Sequence, residues 1–170
     1  MAHVSSNKVT PKQKITPCLW YDGNAEEAVK FYTSVFDDSS VDQVQRSTVD
    51  YPGGKVGSVL IIMFTLAGQN YQALNGGPSE KFSNAISFSV DCEDQIEVDR
   101  LWSALTVDGG KPVQCGWLQD KYGLSWQIVP RRLPELLSDP DAAKVKRVME
   151  AMMQMVKIDV AALEAAAAAG

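Results

Sequence analysis

The chain has 170 residues, of which 45% are hydrophobic and 22% charged, and its net charge is −5. This acidic balance argues against nucleic acid as a partner, because phosphate contacts need a basic face. The longest apolar run, Val59 to Ala67, has the length of a strand and not of a membrane span. We therefore expect a globular protein of one domain or two small modules, with no membrane association.

The N-terminal region and the cysteines indicate the cellular compartment of the protein. Residues 1–13 are polar and lack the apolar centre of a signal peptide, so we expect a disordered tail. Cys18, Cys92 and Cys115 are odd in number and irregularly spaced, which predicts free thiols in a reducing environment. The sequence therefore favours a cytoplasmic protein.

Residues 14–78 predict the order strand, helix, strand, strand, strand. The predicted strands cover residues 14–21, 41–49, 56–66 and 70–74. After the first strand, Asn24 suits a helix N-cap, and Glu27 stands at the spacing of a capping box. Apolar residues at three- and four-residue spacing then extend the predicted helix to Phe36.

Residues 84–130 predict the same order again. The predicted strands cover residues 84–90, 111–114, 115–120 and 124–129. Asp91 is a candidate N-cap for the intervening helix. The residues predicted to form the buried stripe of that helix are Ile96, Leu101, Trp102 and Leu105. Two equal modules predict a pseudo-twofold arrangement.

The most informative stretch is the predicted hairpin at residues 114–130. Gly123 can adopt the positive φ that closes the turn, and Pro130 ends the second strand. Alternation places Leu124, Trp126 and Ile128 on one face, which we expect to pack against a helix. The opposite face then carries Gln127. We interpret Asp120, at the turn, as a surface charge.

Residues 131–170 predict helices only, and form a C-terminal helical extension. Pro140 stands at a predicted helix start with Asp139 as its cap. The apolar stripe of this helix comprises Val145, Val148, Met149, Met152, Met153 and Val156. We interpret the stripe as packing against the domain or against a partner subunit.

Several segments resemble one family. They are Ile15-Thr16-Pro17-Cys18-Leu19-Trp20-Tyr21-Asp22-Gly23-Asn24-Ala25-Glu26-Glu27-Ala28, Ala73-Leu74-Asn75-Gly76-Gly77-Pro78, Cys92-Glu93-Asp94-Gln95, and Cys115-Gly116-Trp117-Leu118 with Trp126-Gln127-Ile128-Val129-Pro130. In this order they resemble the PhnB-like family, known as the demethylubiquinone methyltransferase domain, of the glyoxalase/bleomycin-resistance (vicinal oxygen chelate) superfamily. The resemblance spans about residues 14–163. It implies an α+β fold in which two βαβββ modules (about 14–78 and 84–130) form a curled, cup-shaped mixed sheet, with helices outside, usually in a homodimer.

The resemblance also implies a divalent metal inside the cup, held by side chains from four strands. Those positions fall at or beside Pro17, near Ala73, near Ala85, and at Gln127. Proline and alanine side chains cannot ligate a metal, and a single neutral Gln is a weak anchor. The only histidine, His3, lies in the predicted tail. We therefore expect no metal and no other cofactor.

The expected ligand-binding residues line the cup. They are Tyr71, Ser87, Trp117 and Gln127 on its inner face, Asn75 at its rim, and Cys115 beside Trp117. An apolar wall with a few convergent polar groups is typical of small-molecule sites. Each residue also has a structural interpretation: Gln127 can cap buried backbone groups, Trp117 can pack in the core, Cys115 can be an inert thiol, and Asn75 can belong to a turn.

Three hypotheses follow from the sequence. The first is a homodimer that binds a small organic molecule in a metal-free cup. The second is an enzyme, either metal-dependent or an S-adenosylmethionine-dependent methyltransferase; no glycine pair opens a helix, as cofactor binding commonly requires. The third is a structural dimer module whose cup is filled by its own side chains. No catalytic residue stands out.

Overall fold

A computed structural model describes residues 13–169, so nearly all of the predicted N-terminal tail lies outside the described residues. The chain divides into two compact units, Met1–Glu80 and Lys81–Gly170. Each unit holds one four-stranded mixed sheet together with helices. The predicted α+β class and the two βαβββ modules are confirmed.

The first unit follows the order β1, α1, β2, β3, β4. Its elements are β1 (Cys18–Tyr21), α1 (Ala25–Val35), β2 (Ser40–Arg46), β3 (Val59–Leu66) and β4 (Gln69–Asn75). The sheet has the strand order β1-β4-β3-β2, with β1 parallel to β4 and the other pairs antiparallel. β2 is an edge strand, and all of its residues are exposed.

Helix α1 buries one face on this sheet. The buried residues are Ala25, Ala28, Val29, Tyr32 and Val35. Asn24 is the N-cap residue as predicted, but its side chain makes no capping hydrogen bond. The amide of Ala25 instead donates to Oδ1 of Asn75, at 3.0 Å, so the end of β4 caps the helix.

The second unit repeats the order and adds a short turn. Its elements are β5 (Phe88–Cys92), α2 (Gln95–Thr106), a 3-10 turn (Val107–Gly109), β6 (Lys111–Pro112), β7 (Trp117–Gln119) and β8 (Ser125–Pro130). The strand order is β5-β8-β7-β6, with β5 parallel to β8. As in the first unit, the first strand of the module pairs with the last.

Helix α2 starts later than predicted. Asp94, and not Asp91, is its N-cap, because Oδ1 of Asp94 accepts the amide of Glu97 at 2.9 Å. This start leaves Ile96 in the first turn, 78% exposed, so its predicted burial is wrong. The fully buried residues of the helix are Val98, Leu101 and Leu105.

Three helices follow β8: α3 (Arg132–Leu137), α4 (Ala142–Met153) and α5 (Val160–Ala168). Their buried cluster comprises Leu133, Leu136, Val148, Ile158, Leu163 and Ala167. Asp141 caps α4, in place of the predicted Asp139. Met149 and Met153 are 44% and 56% exposed, so the predicted apolar stripe is only partly buried. No helix within residues 13–169 has both the length and the apolar character required to cross a bilayer.

Candidate functional site

The second sheet has one face covered by α2, and the residues on its other face include the half-buried Trp117 and Gln127 and the exposed Ser89. On β8, Trp126 and Ile128 are 2% and 0% exposed on the covered side, as the alternation predicted. Gln127 points the other way, and its half-buried side chain lies between Trp117 of β7 and Ser89 of β5 in the strand register. We call the side of this sheet that carries Trp117, Gln127 and Ser89 the open face.

Two of the predicted residues are joined directly on the open face. Nε2 of Gln127 donates to Oγ of Ser87 at 2.9 Å. Trp117 is half-buried and stands directly opposite Gln127 in the antiparallel ladder. Cross-strand neighbours of this kind are close enough for one small molecule to contact both. The structure therefore brings Ser87, Trp117 and Gln127 together.

A second polar group on this face was missed by sequence reasoning. Oδ1 of Asn84 accepts two hydrogen bonds, from Nε2 of Gln119 and from Oγ of Ser125, both at 2.8 Å. Ser125 shares the parity of Gln127 along β8, which is the signal that could have identified it. Asn84 could not be found in this way because it precedes the strand.

The segment before β5 differs from the prediction. The strand was expected from Asn84 but begins at Phe88, where pairing with Trp126 starts. The rings of those two residues meet edge to face, with centroids 5.5 Å apart. Ile86, expected on a strand face, lies outside the strand and is 61% exposed. In place of ladder pairing there, Asn84 and Ser87 accept side-chain hydrogen bonds from Ser125 and Gln127 of β8.

Cys115 lies two residues before Trp117 in an unusual backbone conformation. Its φ is 58°, and that of Gly116 is 80°, so both residues are left-handed. Such a φ is uncommon for a residue other than glycine. The Cys115 amide donates to the carbonyl oxygen of Met155 at 2.8 Å. The thiol is half-buried.

Tyr71 and Asn75 belong to the first unit. Tyr71 pairs with the buried Phe64, with ring centroids 5.5 Å apart, and shares the parity of the buried Ala73. It therefore lies on the same side of its sheet as Phe64 and Ala73. Burial raises the pKa of its hydroxyl.

Asn75 has a structural role in the same unit. It is 4% exposed, its Oδ1 accepts the Ala25 amide, and its Nδ2 donates to the carbonyl of Val59 at 3.0 Å. The amide thus ties together α1, β3 and β4. The ligand contacts predicted for Tyr71 and Asn75 stay predictions.

The implied metal does not fit the residues at the implied positions. The side chains of Pro17, Ala73 and Ala85 have no atom that could ligate a metal, and Ala73 is fully buried. Gln127 offers one neutral amide, which already donates to Ser87. Across residues 13–169, no three His, Cys, Asp or Glu side chains come together as a ligand set. A metal-free site stays our prediction.

The glycine pairs lie in turns and loops between secondary-structure elements. Gly53 packs on the backbone of Asn75, Gly76 and Gly77, where an added Cβ would lie 2.3 Å from the Asn75 oxygen. Gly109 and Gly110 follow α2 and lead into β6. None of these pairs stands between a strand and the start of a helix, where a nucleotide-type cofactor is commonly held.

Comparison with known proteins gives one family. The model of the family described as 3-demethylubiquinone-9 3-methyltransferase matches residues 13–129. This range contains all the residues of the open face and ends before the helical extension. A search of curated proteins finds no match.

Among solved structures, one of 38% identity supports the same family. A Bacillus cereus protein described as a putative 3-demethylubiquinone-9 3-methyltransferase, PhnB protein, is 38% identical, with a TM-score of 0.63, over 69% of this chain and 99% of its own. A Pseudomonas aeruginosa protein is 19% identical, with a TM-score of 0.58, over 69% and 97% of the two chains. A glyoxylase/bleomycin resistance protein/dioxygenase domain from Frankia is 16% identical, with a TM-score of 0.42, over 65% and 91%.

Proposed function

Because the chain belongs to the family described as 3-demethylubiquinone-9 3-methyltransferase, we propose that it binds a small organic molecule on the open face. The observation that carries the proposal is the juxtaposition of Gln127, bonded to Ser87 at 2.9 Å, with the indole of Trp117. The proposal includes no metal ion, since the residues at the implied metal positions offer only one neutral amide.

The residues of the open face indicate the class of ligand. A Gln amide and Ser hydroxyls offer both donors and acceptors without a net charge. An indole next to them favours a flat ring, which gains contact area and stacking. We therefore propose a planar, ring-containing molecule with carbonyl or hydroxyl groups. The family description supports this class, because demethylubiquinone is itself a ring bearing oxygen substituents.

The test is a titration of the full chain with benzamide, a neutral aromatic amide, followed by protein-observed NMR. We expect saturable shifts centred on Trp117, Gln127 and Ser87, and weaker or no shifts with cyclohexanecarboxamide, which lacks the aromatic ring. Gln127→Leu should weaken benzamide binding about tenfold, because it removes one or two hydrogen bonds to the ligand. The matched control is Gln154→Leu, at the exposed end of α4, which should bind as the unmodified chain does.

Two results would overturn the proposal. One is the absence of saturable shifts with benzamide. The other is equal affinity in Gln127→Leu and in the control, which would move the ligand away from the open face.

A second candidate function is the methyl transfer named in the family description. It rests on the family match, and it predicts saturable, calorimetrically detectable binding of S-adenosylmethionine. Binding of that molecule in a fixed ratio to the chain would favour it, and its absence would leave the binding function alone. A metal-dependent enzyme would instead show a divalent ion retained in native mass spectrometry. We also propose a homodimer, which the same spectra measure directly.

A further inference from the structure

The C-terminal extension lies outside the part of the chain shared with relatives. The family match ends at residue 129, and the Bacillus neighbour is covered over 99% of its length by only 69% of this chain. Yet the extension contacts Cys115 and Gly116, the two residues that precede β7 and Trp117. The contacts come from residues 155–158, between α4 and α5, which we call the clamp segment.

Two backbone hydrogen bonds join the clamp segment to the residues just before β7. The amide of Cys115 donates to the oxygen of Met155, and the amide of Gly116 to that of Val156, each at 2.8 Å. These are the two left-handed residues before Trp117. Left-handed backbone at a non-glycine residue persists only where the surroundings enforce it, and these bonds supply that constraint at Cys115.

Side-chain packing adds to the backbone contact. Ile158 is fully buried, and a Cβ built on Gly116 would lie 2.9 Å from its Cγ1. The backbone of Gly116 therefore rests directly on Ile158. The oxygen of Gly116 also accepts the amide of Ile128 at 2.8 Å. Gly116 thus connects the clamp segment with both Trp117 and the neighbour of Gln127.

The clamp segment is itself anchored on α2. Nε2 of Gln95 donates to the oxygen of Ile158 at 3.1 Å, and Oε1 of Gln95 accepts the amide of Val160 at 2.8 Å. Lys157 forms an ion pair with Asp99 of the same helix. Helix α2 packs on the side of the sheet opposite the open face. The clamp segment is therefore attached to a helix of the domain and not to a loop.

We propose that the clamp segment positions Trp117 and Gln127 for the ligand, which makes Ile158 and Gln95 positioning residues of the site. This inference rests on the proposed function and adds that an element outside the shared family domain sets the geometry of the open face. Binding residues keep their geometry when the residues that support them are well packed. When that packing is lost, the affinity for the ligand falls.

The test compares two variants that remove equally buried aliphatic side chains from the same cluster. Ile158→Ala removes the contact with Gly116, and Leu163→Ala removes a residue of α5, also fully buried. Both should lower the melting temperature. Only Ile158→Ala should shift the indole signal of Trp117 and accelerate hydrogen exchange at the amides of Cys115 and Gly116. Ile158→Val should restore both signals.

Benzamide affinity gives the second readout. Ile158→Ala should weaken binding about fivefold or more, through a less ordered site. Leu163→Ala should remain within about twofold of the unmodified chain. Gln95→Ala removes the two hydrogen bonds to Ile158 and Val160 and leaves the buried cluster intact. It should also weaken benzamide binding, which keeps the proposal testable if Ile158→Ala is poorly folded.

The outcomes separate the two proposals. If the unmodified chain does not bind benzamide, the proposed function fails, while the indole and exchange signals still decide whether the clamp segment orders Trp117. If it binds but Ile158→Ala and Leu163→Ala behave alike in both readouts, the positioning role is overturned and the proposed function stands.

Discussion

The Asp120 carboxylate accepts a hydrogen bond from the indole of Trp126, with 2.8 Å between Oδ2 and Nε1. Its other oxygen accepts the amides of Tyr122 and Leu124, at 2.8 and 3.1 Å. Asp120 is 3% exposed, so the interpretation of it as a surface charge is wrong. This side chain holds the hairpin turn onto the strand that carries Gln127.

Asp120→Ala is therefore expected to lower the free energy of unfolding by about 3 kcal/mol. The substitution leaves a buried indole N–H and two turn amides without their hydrogen-bond acceptor. Urea unfolding followed by circular dichroism measures the change. Asp37→Ala, in an exposed turn, is the control and should stay within about 0.5 kcal/mol of the unmodified chain. A loss below about 1 kcal/mol for Asp120→Ala would contradict the role assigned to the carboxylate.

Asn75→Ala is expected to cost about 2 kcal/mol, since the amide of Ala25 and the carbonyl of Val59 both lose their buried partner. Chemical unfolding gives the free energy. The exposed Asn70 provides the matched control, where Ala should have little effect. Equal effects at the two positions would show that Asn75 does not cap α1 in solution.

Cys92 is expected to resist alkylation in the native protein. It is fully buried, and burial, followed by the charges of Glu97 and Asp91, raises the pKa of its thiol to about 12. At about pH 8 almost no reactive thiolate is present. Iodoacetamide followed by peptide mass spectrometry should label the exposed Cys18 and leave Cys92 unmodified until urea is added. Native labelling of Cys92 at the rate of Cys18 is the contrary result.

The ion pair between Lys157 of the clamp segment and Asp99 of α2 predicts that stability depends on pH. The hydrogen bond from Lys157, and next that from Gln95, holds the pKa of Asp99 below its ordinary value. A lowered pKa contributes stability that is present above the unfolded-state pKa and is lost as the pH falls through the folded-state pKa.

Asp99→Asn should therefore be less stable than the unmodified chain at neutral pH, and the urea midpoints of the two should converge as the pH falls through the lowered folded-state pKa of Asp99. Asp22→Asn, at an exposed turn residue, is the control for a change of net charge. A gap between Asp99→Asn and the unmodified chain that persists unchanged at low pH would assign the effect to something other than the carboxylate charge.

The sequence predicts the two modules because their periodicities are strong. Leu124, Trp126 and Ile128 alternate cleanly, and their burial follows the predicted face. Since Gln127 must then face the other way, the central residue of the candidate site follows from local pattern alone. The position of Asn84, which accepts a hydrogen bond from Ser125 of the same strand, does not follow from local pattern, because that contact joins an irregular segment to a strand residue 41 positions away.

The errors have identifiable causes. The neighbours of Tyr71 could not be read from the sequence, because they depend on strand register, and a shift of one residue exchanges the two faces. The observed register sets Tyr71 opposite Phe64. At α2, both Asp91 and Asp94 are chemically suitable caps, and only the ladder of β5, which extends to Cys92, excludes the earlier one.

The pairing of the first strand with the last in each module has a consequence for how the chain can be divided. Every strand of β1–β4 has its ladder partners within residues 1–80, and every strand of β5–β8 within residues 81–170. A cut between Glu80 and Lys81 therefore breaks no ladder hydrogen bond. The same arrangement delays completion during synthesis, because β1 must wait for β4, and β5 for β8, to leave the ribosome before either sheet can close.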